Sequence, residues 1–498
     1  MAGELSDKVL LKIFRYFLDV SPRHWPRLVH TCRKWRRIVF ASHRALQLRL
    51  FCTHGTPVQK ILRGWPAALH IAVEYGGSPE LYPPAPIDEN NIMALLKQSG
   101  RVTSIGLSVT PSLLKKLSAI KRQFSELEDL ILLSPDSVPT SLPKSFQWGP
   151  RLRCLRLSRI TFPAFLPLLY NSRNLVDLQL HDVLNPWPIS PEEFTNILAG
   201  MVQLRSLSLH LLSGSAPDFI SSGFRNKGPI PSSSLFGERV VLHFLNRLDF
   251  RGNGKYLGDL VARIKAPLLE DIAITFTLPW SDAIFGLPNL SQFINRIEMH
   301  KSHPRRRADI QASEGDITIS LMQAGAFTGL RLALLCESLL VQLPFMAQIC
   351  THFSALLANV EDLRIYVRRP SREGERLDGD TWLDIINSFT CVKWFHTAEN
   401  ILTVLLHAMH QSPYWQRKNV LPALYKLYIS QAGPPHSPLT DEIVSLMISR
   451  RLSSHTIAVE YEQPSNSELR EIGTVYASCH CHYLLTRLDR ILFSAGHD

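Results

Sequence analysis

The chain has 498 residues, of which 45% are apolar and 19% are charged, and its formal net charge is +11. This length exceeds that of one ordinary globular domain, so we expect several domains or one extended repeat array with a large core. The basic residues are spread along the chain instead of being gathered in one region, and nucleic acid is therefore not expected as a partner.

Cysteine usage and hydropathy bear on the cellular compartment. The eight cysteines are scattered without a disulfide framework, which predicts reduced thiols and a cytoplasmic or nuclear location. The first residues carry charges throughout their apolar stretch and make a poor signal peptide. The most apolar window, 332–350, contains Glu337, which would be costly to bury in a bilayer. We expect a buried core segment there and no membrane partner. The basic run 301–307 leaves a nuclear import signal open.

Residues 1–45 are predicted to form a small helical module. From Glu4 to Val20, apolar residues recur at helical spacing, and Ser6 is placed to cap the helix. A second helix is predicted as one run from Trp25 to Ser42, with Cys32 on its apolar side. About 40 residues without disulfides or metal ligands rarely bury enough surface to fold alone. We expect that a partner completes the core; a simple helical cap on the following domain is the alternative.

Residues 46–100 are interpreted as a connector and N-terminal cap of the domain that follows. Alternating apolar residues predict short strands at 46–51 and 69–73, and a short helix is predicted at 89–98 after a proline-rich loop.

From residue 101 to 498, an apolar-x-x-apolar-x-apolar pattern returns about every 24 residues, which lies in the range of leucine-rich repeats. The apolar side chains of each short strand point inward, and stacking of neighbouring repeats completes the core. The sequence thus predicts an α/β fold: a curved parallel sheet with outer helices, forming an irregular solenoid. The usual asparagine ladder is absent, so the backbone groups of the turns must be satisfied in another way.

The predicted repeat strands and the interruptions between them are as follows. The repeats begin at Val102, Leu127, Leu152, Leu175, Leu204, Leu245, Leu269, Ile294, Val360, Val392 and Leu424. Loop insertions are expected near 213–234, 300–316 and 367–380, and one degenerate repeat is expected at 317–335.

A search for catalytic motifs finds no phosphate loop and no HExxH, GxSxG or CxxC pattern. Glycines at 252, 254 and 258 approach a dinucleotide-binding turn, but their spacing is GxGxxxG, and a tight turn between strand and helix explains them. The run Cys479-His480-Cys481-His482 cannot easily bring all its side chains to one tetrahedral ion, so a packed terminal cap is preferred to a metal site. No catalytic residue, cofactor or metal is predicted.

The N-terminal residues resemble the F-box family in Leu5-Ser6-Asp7, Ile13-Phe14, Leu28-Val29, Cys32 and Lys34-Trp35-Arg36. Ser6 stands where that family commonly has proline, and the link between the helices is changed. The array behind is similar to the leucine-rich tails of F-box proteins, particularly in large fungal sets. The resemblance implies a non-catalytic substrate-recognition subunit of a Skp-cullin-F-box ubiquitin ligase. Its partners would be a Skp-type adaptor, through it a cullin, and a target protein.

The resemblance also implies a set of adaptor contacts. They are Leu5, Leu10, Ile13, Phe14, Leu28, Val29, Cys32 and Trp35. Some of these must instead pack the module internally, and the sequence does not separate the two roles.

Target binding is predicted at the x positions of the repeat strands, which point away from the core. Because arginine and aromatic residues dominate binding hot spots, the predicted anchors are Arg247, Arg251, Tyr366, Trp394 and Tyr428. Two alternatives stay open: a scaffold that is not a ligase subunit and whose F-box-like helices only cap the solenoid, and an enzyme that uses the glycine turn.

Overall fold

The computed structural model divides the chain into two compact units, residues 1–301 and 302–498. Both units combine helices with mostly parallel strands, which confirms the α/β class. Nine of the sixteen main strands in the described part of the chain lie in the first unit and seven in the second. The structure describes residues 5–53, 56–75, 89–117, 119–120, 123–135, 140–142, 148–161, 169–170, 172–183, 189–211, 239–277, 281–297, 307–313, 315–322, 329–335, 339–367, 378–411, 420–430 and 457–462.

Three helices open the first unit: α1 (Asp7–Val20), α2 (Trp25–Thr31) and α3 (Arg33–Ala41). The prediction for α1 is confirmed, and its Val9 amide donates to the Ser6 hydroxyl oxygen at 3.4 Å. The prediction of one long second helix is wrong. Cys32 is extended, with φ −159° and ψ 168°, and its Sγ accepts from the Trp35 amide at 3.5 Å. Cys32 therefore caps α3 and does not lie on the apolar side of a continuous helix.

Beyond these three helices, the described part of the first unit contains nine main strands and six α-helices. Its strands are β1 (Arg49–Cys52), β2 (His70–Tyr75), β3 (Val102–Ser108), β4 (Asp129–Leu133), β5 (Cys154–Ser158), β6 (Asp177–Val183), β7 (Ser206–Leu211), β8 (Arg247–Gly252) and β9 (Asp271–Phe276). Its helices are α4 (Val58–Gly64), α5 (Glu89–Leu96), α6 (Pro111–Leu117), α7 (Pro191–Ala199), α8 (Gly254–Arg263) and α9 (Ser281–Asn295). The strands pair in parallel and in chain order from β1 to β9, so the predicted connector supplies the first two strands of the sheet.

Equivalent apolar side chains form rows across the first unit, because neighbouring strands keep one register. In β4, β5, β8 and β9, buried positions alternate with more exposed ones, which separates an apolar face from a polar face. Side-by-side packing of the strands therefore buries side chains that one strand could not bury by itself. One fully buried row consists of Leu130, Leu155, Leu178, Leu207, Leu248 and Ile272.

A ladder of backbone hydrogen bonds joins consecutive repeats just before each strand. The Glu128 amide donates to the Thr103 carbonyl, the Arg153 amide to Glu128, and the Val176 amide to Arg153, each at 2.8 Å. The amides of Arg205, Asn246 and Glu270 continue the ladder. Backbone groups at the strand entrances are thus satisfied by other backbone groups.

The second unit contains seven strands and four helices in its described part. The strands are β10 (Arg307–Ala312), β11 (Asp316–Met322), β12 (Gly329–Leu335), β13 (Asp362–Val367), β14 (Trp394–Ala398), β15 (Lys426–Ser430) and β16 (Ala458–Glu462). The helices are α10 (Leu339–His352), α11 (Ser354–Leu357), α12 (Gly379–Ile386) and α13 (Glu399–Gln411). Strand β10 pairs in parallel with β13, and β13 to β16 continue in parallel.

Three predictions fail between residues 294 and 335. The expected insertion at 300–316 contains strand β10, and the expected degenerate repeat at 317–335 is instead two antiparallel strands, β11 and β12. Ile294, expected to begin a repeat strand, lies near the end of α9. The apolar spacing did not distinguish these elements, because a buried antiparallel strand or a short buried helix shows the same spacing as a parallel strand.

Other predictions fall partly or wholly on residues outside the description. The insertion near 213–234 and the terminal run 479–482 lie outside it, and the one near 367–380 lies mainly in 368–377. The apolar window 332–350 spans β12 and α10, where Leu343, Met346 and Ile349 are fully buried. Among the described residues, no helix combines the length and apolarity needed to cross a bilayer.

The apolar rows predict a sharp contrast between two leucines. Leu207 is fully buried in β7, whereas Leu268 is 56% exposed just before β9. Leu207→Ala is expected to lower the free energy of unfolding by about 2–5 kcal/mol, and Leu268→Ala by less than about 0.5 kcal/mol. Chemical denaturation of the two variants beside the wild type measures this. Equal losses would contradict the stacked-row description.

Candidate functional site

The N-terminal helices share one apolar core with the beginning of the sheet. Leu10, Phe14 and Trp25 pack in the same buried cluster as Leu50 of β1 and Leu69 just before β2. Trp25 also donates its indole Nε1 hydrogen to the carbonyl oxygen of Arg49 at 2.7 Å. The rest of the chain therefore completes the inner side of a module that looked too small to fold alone.

The predicted adaptor contacts divide into two groups by exposure. Four of them, Leu10, Phe14, Leu28 and Val29, are buried in the core of the chain itself and present no surface to a partner. Leu5, Ile13 and Cys32 are exposed, and Trp35 is half-buried against the Phe14 ring, with centroids 4.8 Å apart. Burial thus separates the two roles that the sequence left together.

An apolar stripe lies on the outer side of α1 and its N-terminal approach. The stripe residues share one helix face because they recur every three or four positions. They are Leu5 (41% exposed), Val9 (43%), Ile13 (47%), Tyr16 (75%) and Val20 (49%). Sequence reasoning missed Tyr16 and Val20, although their spacing from Val9 and Ile13 was visible as a second apolar face. Four large apolar side chains exposed on one short helix, with Leu5 just before it, mark a contact surface.

Basic side chains flank this apolar stripe. Lys8, Lys12 and Arg15 are exposed on α1. By helical geometry, these three residues lie along one edge of the stripe, and the buried face of α1 adjoins the other edge. At the N-terminal end, Asp7 lies 3.8 Å from Lys34 and 3.6 Å from Arg37 of α3. Arg15 donates to the Ala45 carbonyl oxygen at 3.3 Å but keeps its charge. The three exposed basic groups on α1 favour a partner that offers acidic side chains beside an apolar surface.

A hydrogen-bonded cluster of polar side chains lies on the polar face of the first unit. The Ser208 hydroxyl donates to Asp249 Oδ2 at 2.9 Å, and His210 Nε2 lies 3.0 Å from the same oxygen. His181 Nε2 lies 2.9 Å from the Ser208 Oγ, and its ring stacks on that of His210 with centroids 4.1 Å apart.

This cluster has the residue types of a hydrolytic triad but a different geometry. In a triad, one imidazole bridges the nucleophile and the acid through its two nitrogens. Here Ser208 reaches the Asp249 carboxylate directly, and His210 approaches both residues through the same atom, Nε2. The arrangement is therefore suited to holding side chains in place and binding a ligand, not to activating Ser208.

Two thiols on other strands of the first unit, Cys52 on β1 and Cys154 on β5, are also unsuited to nucleophilic chemistry. Burial raises the pKa of Cys52 to about 11 and that of Cys154 to about 12. Both residues are therefore neutral thiols at neutral pH, and a thiolate is the reactive form.

The polar face of the second unit carries stacked rings among paired charges. The His396 and Tyr428 rings stack with centroids 4.1 Å apart, and Lys426 Nζ lies 4.8 Å from the centre of the Tyr428 ring. Burial, followed by the charge of Arg364, lowers the pKa of His396 to about 4, so its ring is neutral at pH 7. Trp394, 37% exposed, is directly opposite Lys426 in the strand register.

The predicted target anchors all lie on strands, but in different units. Arg247 and Arg251 belong to β8 of the first unit, whereas Tyr366, Trp394 and Tyr428 belong to β13, β14 and β15 of the second. All five are exposed or half-buried, which agrees with their predicted position on the polar face.

The glycine turn after β8 is explained by helix packing. The Asn253 side chain caps α8 by accepting from the amides of Lys255 and Tyr256. A Cβ on Gly258 would lie 2.5 Å from the Cα of Gly286 on α9, so these glycines allow the two helices to approach closely. The capping amides are occupied, and the turn does not resemble a dinucleotide site.

Within the described residues, no group of three or more histidine, cysteine, aspartate or glutamate side chains is arranged to hold a metal ion. A cavity of about 30 Å³ in the second unit is lined by apolar side chains of β14, β15, α12 and α13, such as Phe395 and Leu427, and has room for about two water molecules. It is too small for an organic ligand.

Comparison with known proteins gives no family assignment. No protein-family model matches the chain, and no curated protein matches it.

The buried carboxylate predicts a defined pH dependence of stability. Burial tends to raise the pKa of Asp249, but hydrogen bonds and charge from His210 outweigh it, and the net pKa is lowered. A carboxylate whose pKa is lowered by folding stabilises the folded state at pH values above its unfolded-state pKa of about 3.9. This stabilisation is lost as the pH falls through the folded-state pKa. Asp249→Asn is expected to cost about 1–3 kcal/mol at pH 7 and less below about pH 4.

Thermal unfolding at several pH values measures this effect. Asp271→Asn serves as the matched control, because Asp271 is more exposed and its carboxylate is 3.5 Å from Arg247. A cost for Asp249→Asn that stays unchanged down to pH 3 would contradict the assignment.

Proposed function

We propose that the chain is a substrate-recognition subunit that docks on a helical adaptor through α1 and binds a target protein through its strand array. More specifically, we propose that it is an F-box type receptor of a Skp-cullin-F-box ubiquitin ligase. The observation that carries the proposal is the exposed apolar stripe on α1, in a chain segment whose other apolar face is already buried.

The stripe supports a protein partner on physical grounds. Full burial of an exposed Val or Ile side chain contributes roughly 1.5–3 kcal/mol, so covering the half-exposed side chains of the stripe contributes about 1 kcal/mol each. The exposed Lys8, Lys12 and Arg15 beside it favour acidic groups on the partner. A helical adaptor with an apolar groove and an acidic rim fits both features.

In the proposed mechanism, the chain acts by proximity. Docking through α1 joins the bound target to the ligase, so a target lysine is presented to the ubiquitin-charged enzyme at a raised effective concentration. The chain contributes no catalytic group to this reaction.

A scaffold that is not a ligase subunit is the second candidate. It is favoured by the core that α1 and α2 share with β1 and β2, because these helices also cover the first strands. The two candidates differ in whether the outer side of α1 has a partner.

Co-expression with a Skp-type adaptor tests the docking surface. Val9→Asp and Ile13→Asp together are expected to weaken co-purification by at least about 30-fold, because two apolar contacts are replaced by charges. The melting temperature is expected to stay near that of the wild type, since both side chains are exposed.

Val202→Asp is the matched control, because Val202 is 60% exposed but lies just before β7. It is expected to leave adaptor binding unchanged. If the wild-type chain does not bind the adaptor, the receptor proposal fails and the scaffold becomes the better account.

Target capture tests the array. Alanine at Arg247, Arg251, Tyr366, Trp394 and Tyr428 together is expected to reduce capture of the target at least about tenfold, since truncation of arginine and aromatic anchors typically costs more than 1 kcal/mol each. Quantitative pull-down from cells compares this variant with the wild type. Tyr425→Ala, at a residue 63% exposed beside β15, is the control and is expected to retain every bound protein. Unchanged capture by the fivefold variant would exclude these anchors.

A further inference from the structure

Three side chains that can carry positive charge form a row across neighbouring strands of the first unit. His181 lies on β6, His210 on β7 and Arg251 on β8, and Arg251 is directly opposite His210 in the strand register. The two imidazole rings are parallel within 7°. Because adjacent strands are about 4.8 Å apart, the three side chains begin within about 10 Å of one another.

The carboxylate of Asp249 contacts this row, and its hydrogen bonds are with residues of β7. Asp249 accepts from Ser208 and lies within hydrogen-bond distance of His210. In the described part of the chain, Asp249 makes no ion pair with Arg251, two residues further along β8.

Arg251 differs from the other arginines of this face. Arg247 lies 3.5 Å from Asp271, and Arg49 lies 2.6 Å from Glu128. Arg251 has no such acid among the described residues, and its Nε atom is buried there without an acceptor. A buried charged donor without an acceptor is unfavourable, and a ligand that supplies one relieves this cost.

The chemistry of the row defines the ligand. A guanidinium group matches ligands with oxygen acceptors and negative charge, and imidazole adds donors when protonated. We propose that His181, His210 and Arg251 form a subsite for an anionic group of the bound target protein, either a carboxylate or a phosphoryl group. This inference rests on the proposed role of the array in target binding and adds the chemistry of the group that is bound.

Titration of the full chain with small anions tests the subsite. Inorganic phosphate and acetate are each compared with sodium chloride at equal ionic strength, and the melting temperature is followed, since a ligand bound to the native state raises it. At least one of the two anions is expected to raise the wild-type melting temperature beyond the chloride effect. Arg251→Gln is expected to weaken the apparent affinity about tenfold. Arg247→Gln, on the same strand and face, is expected to leave it unchanged.

Arg251→Lys keeps the test valid if Arg251→Gln does not fold. It retains the charge but not the fork of donors, and an intermediate affinity is expected. A response to phosphate alone identifies a phosphoryl group, and a response to both anions supports a carboxylate. The subsite is overturned if neither anion acts, or if Arg251→Gln responds like the wild type. Arg251-dependent binding of a single-stranded oligonucleotide in preference to both small anions would overturn the assignment to a protein target.

Adaptor co-purification with Arg251→Gln separates this inference from the proposed function. Normal adaptor binding together with an unchanged anion response overturns the subsite alone. Absence of adaptor binding by the wild type overturns the receptor proposal, whereas the anion titration still decides the subsite.

Discussion

The common register of parallel strands is the constraint on which the first unit depends. The row that includes Leu155, Leu178 and Leu207 is buried only because each strand presents its leucine at the same level as its neighbours. A shift by one residue would turn every apolar side chain to the polar face. The same register brings His181, His210 and Arg251 together, so the packing of the core also determines which polar side chains meet on the opposite face.

Helix α1 has two apolar sides with different roles. Leu10 and Phe14 are buried against α3 and the start of the sheet, whereas Val9 and Ile13 remain exposed on the other side. An exposed apolar side is unfavourable for a chain without a partner, and flanking lysines help to keep such a surface soluble. The proposed docking role explains the exposed side, and the covering of β1 explains the buried one.

Much of the first unit could be predicted from its leucine spacing, because a parallel repeat strand shows three apolar residues at fixed positions. The second unit was less predictable, since β11 and β12 carry the same apolar spacing but pair in antiparallel fashion. Of the candidate sites, the N-terminal helical module was predicted from its sequence motif. The sequence could not show which of its predicted contact residues are exposed and which are buried. Which side chains of the module are buried depends on packing against Leu50 and Leu69, which lie further along the chain. The Arg251 Nε donor without an acceptor could not be predicted from the sequence either. Its lack of a partner depends on which nearby carboxylates are already paired with other residues in the fold.

The core that α2 shares with β1 also limits how the chain can be shortened. Trp25 packs edge-on against Trp65, with ring centroids 4.9 Å apart, and its indole bonds to the backbone of Arg49. Removal of the first 45 residues would uncover Leu46, Leu48 and Leu50 beside β1, the edge strand of the sheet. An uncovered apolar edge strand invites aggregation. The array is therefore not an independent module that could be transplanted without its helices.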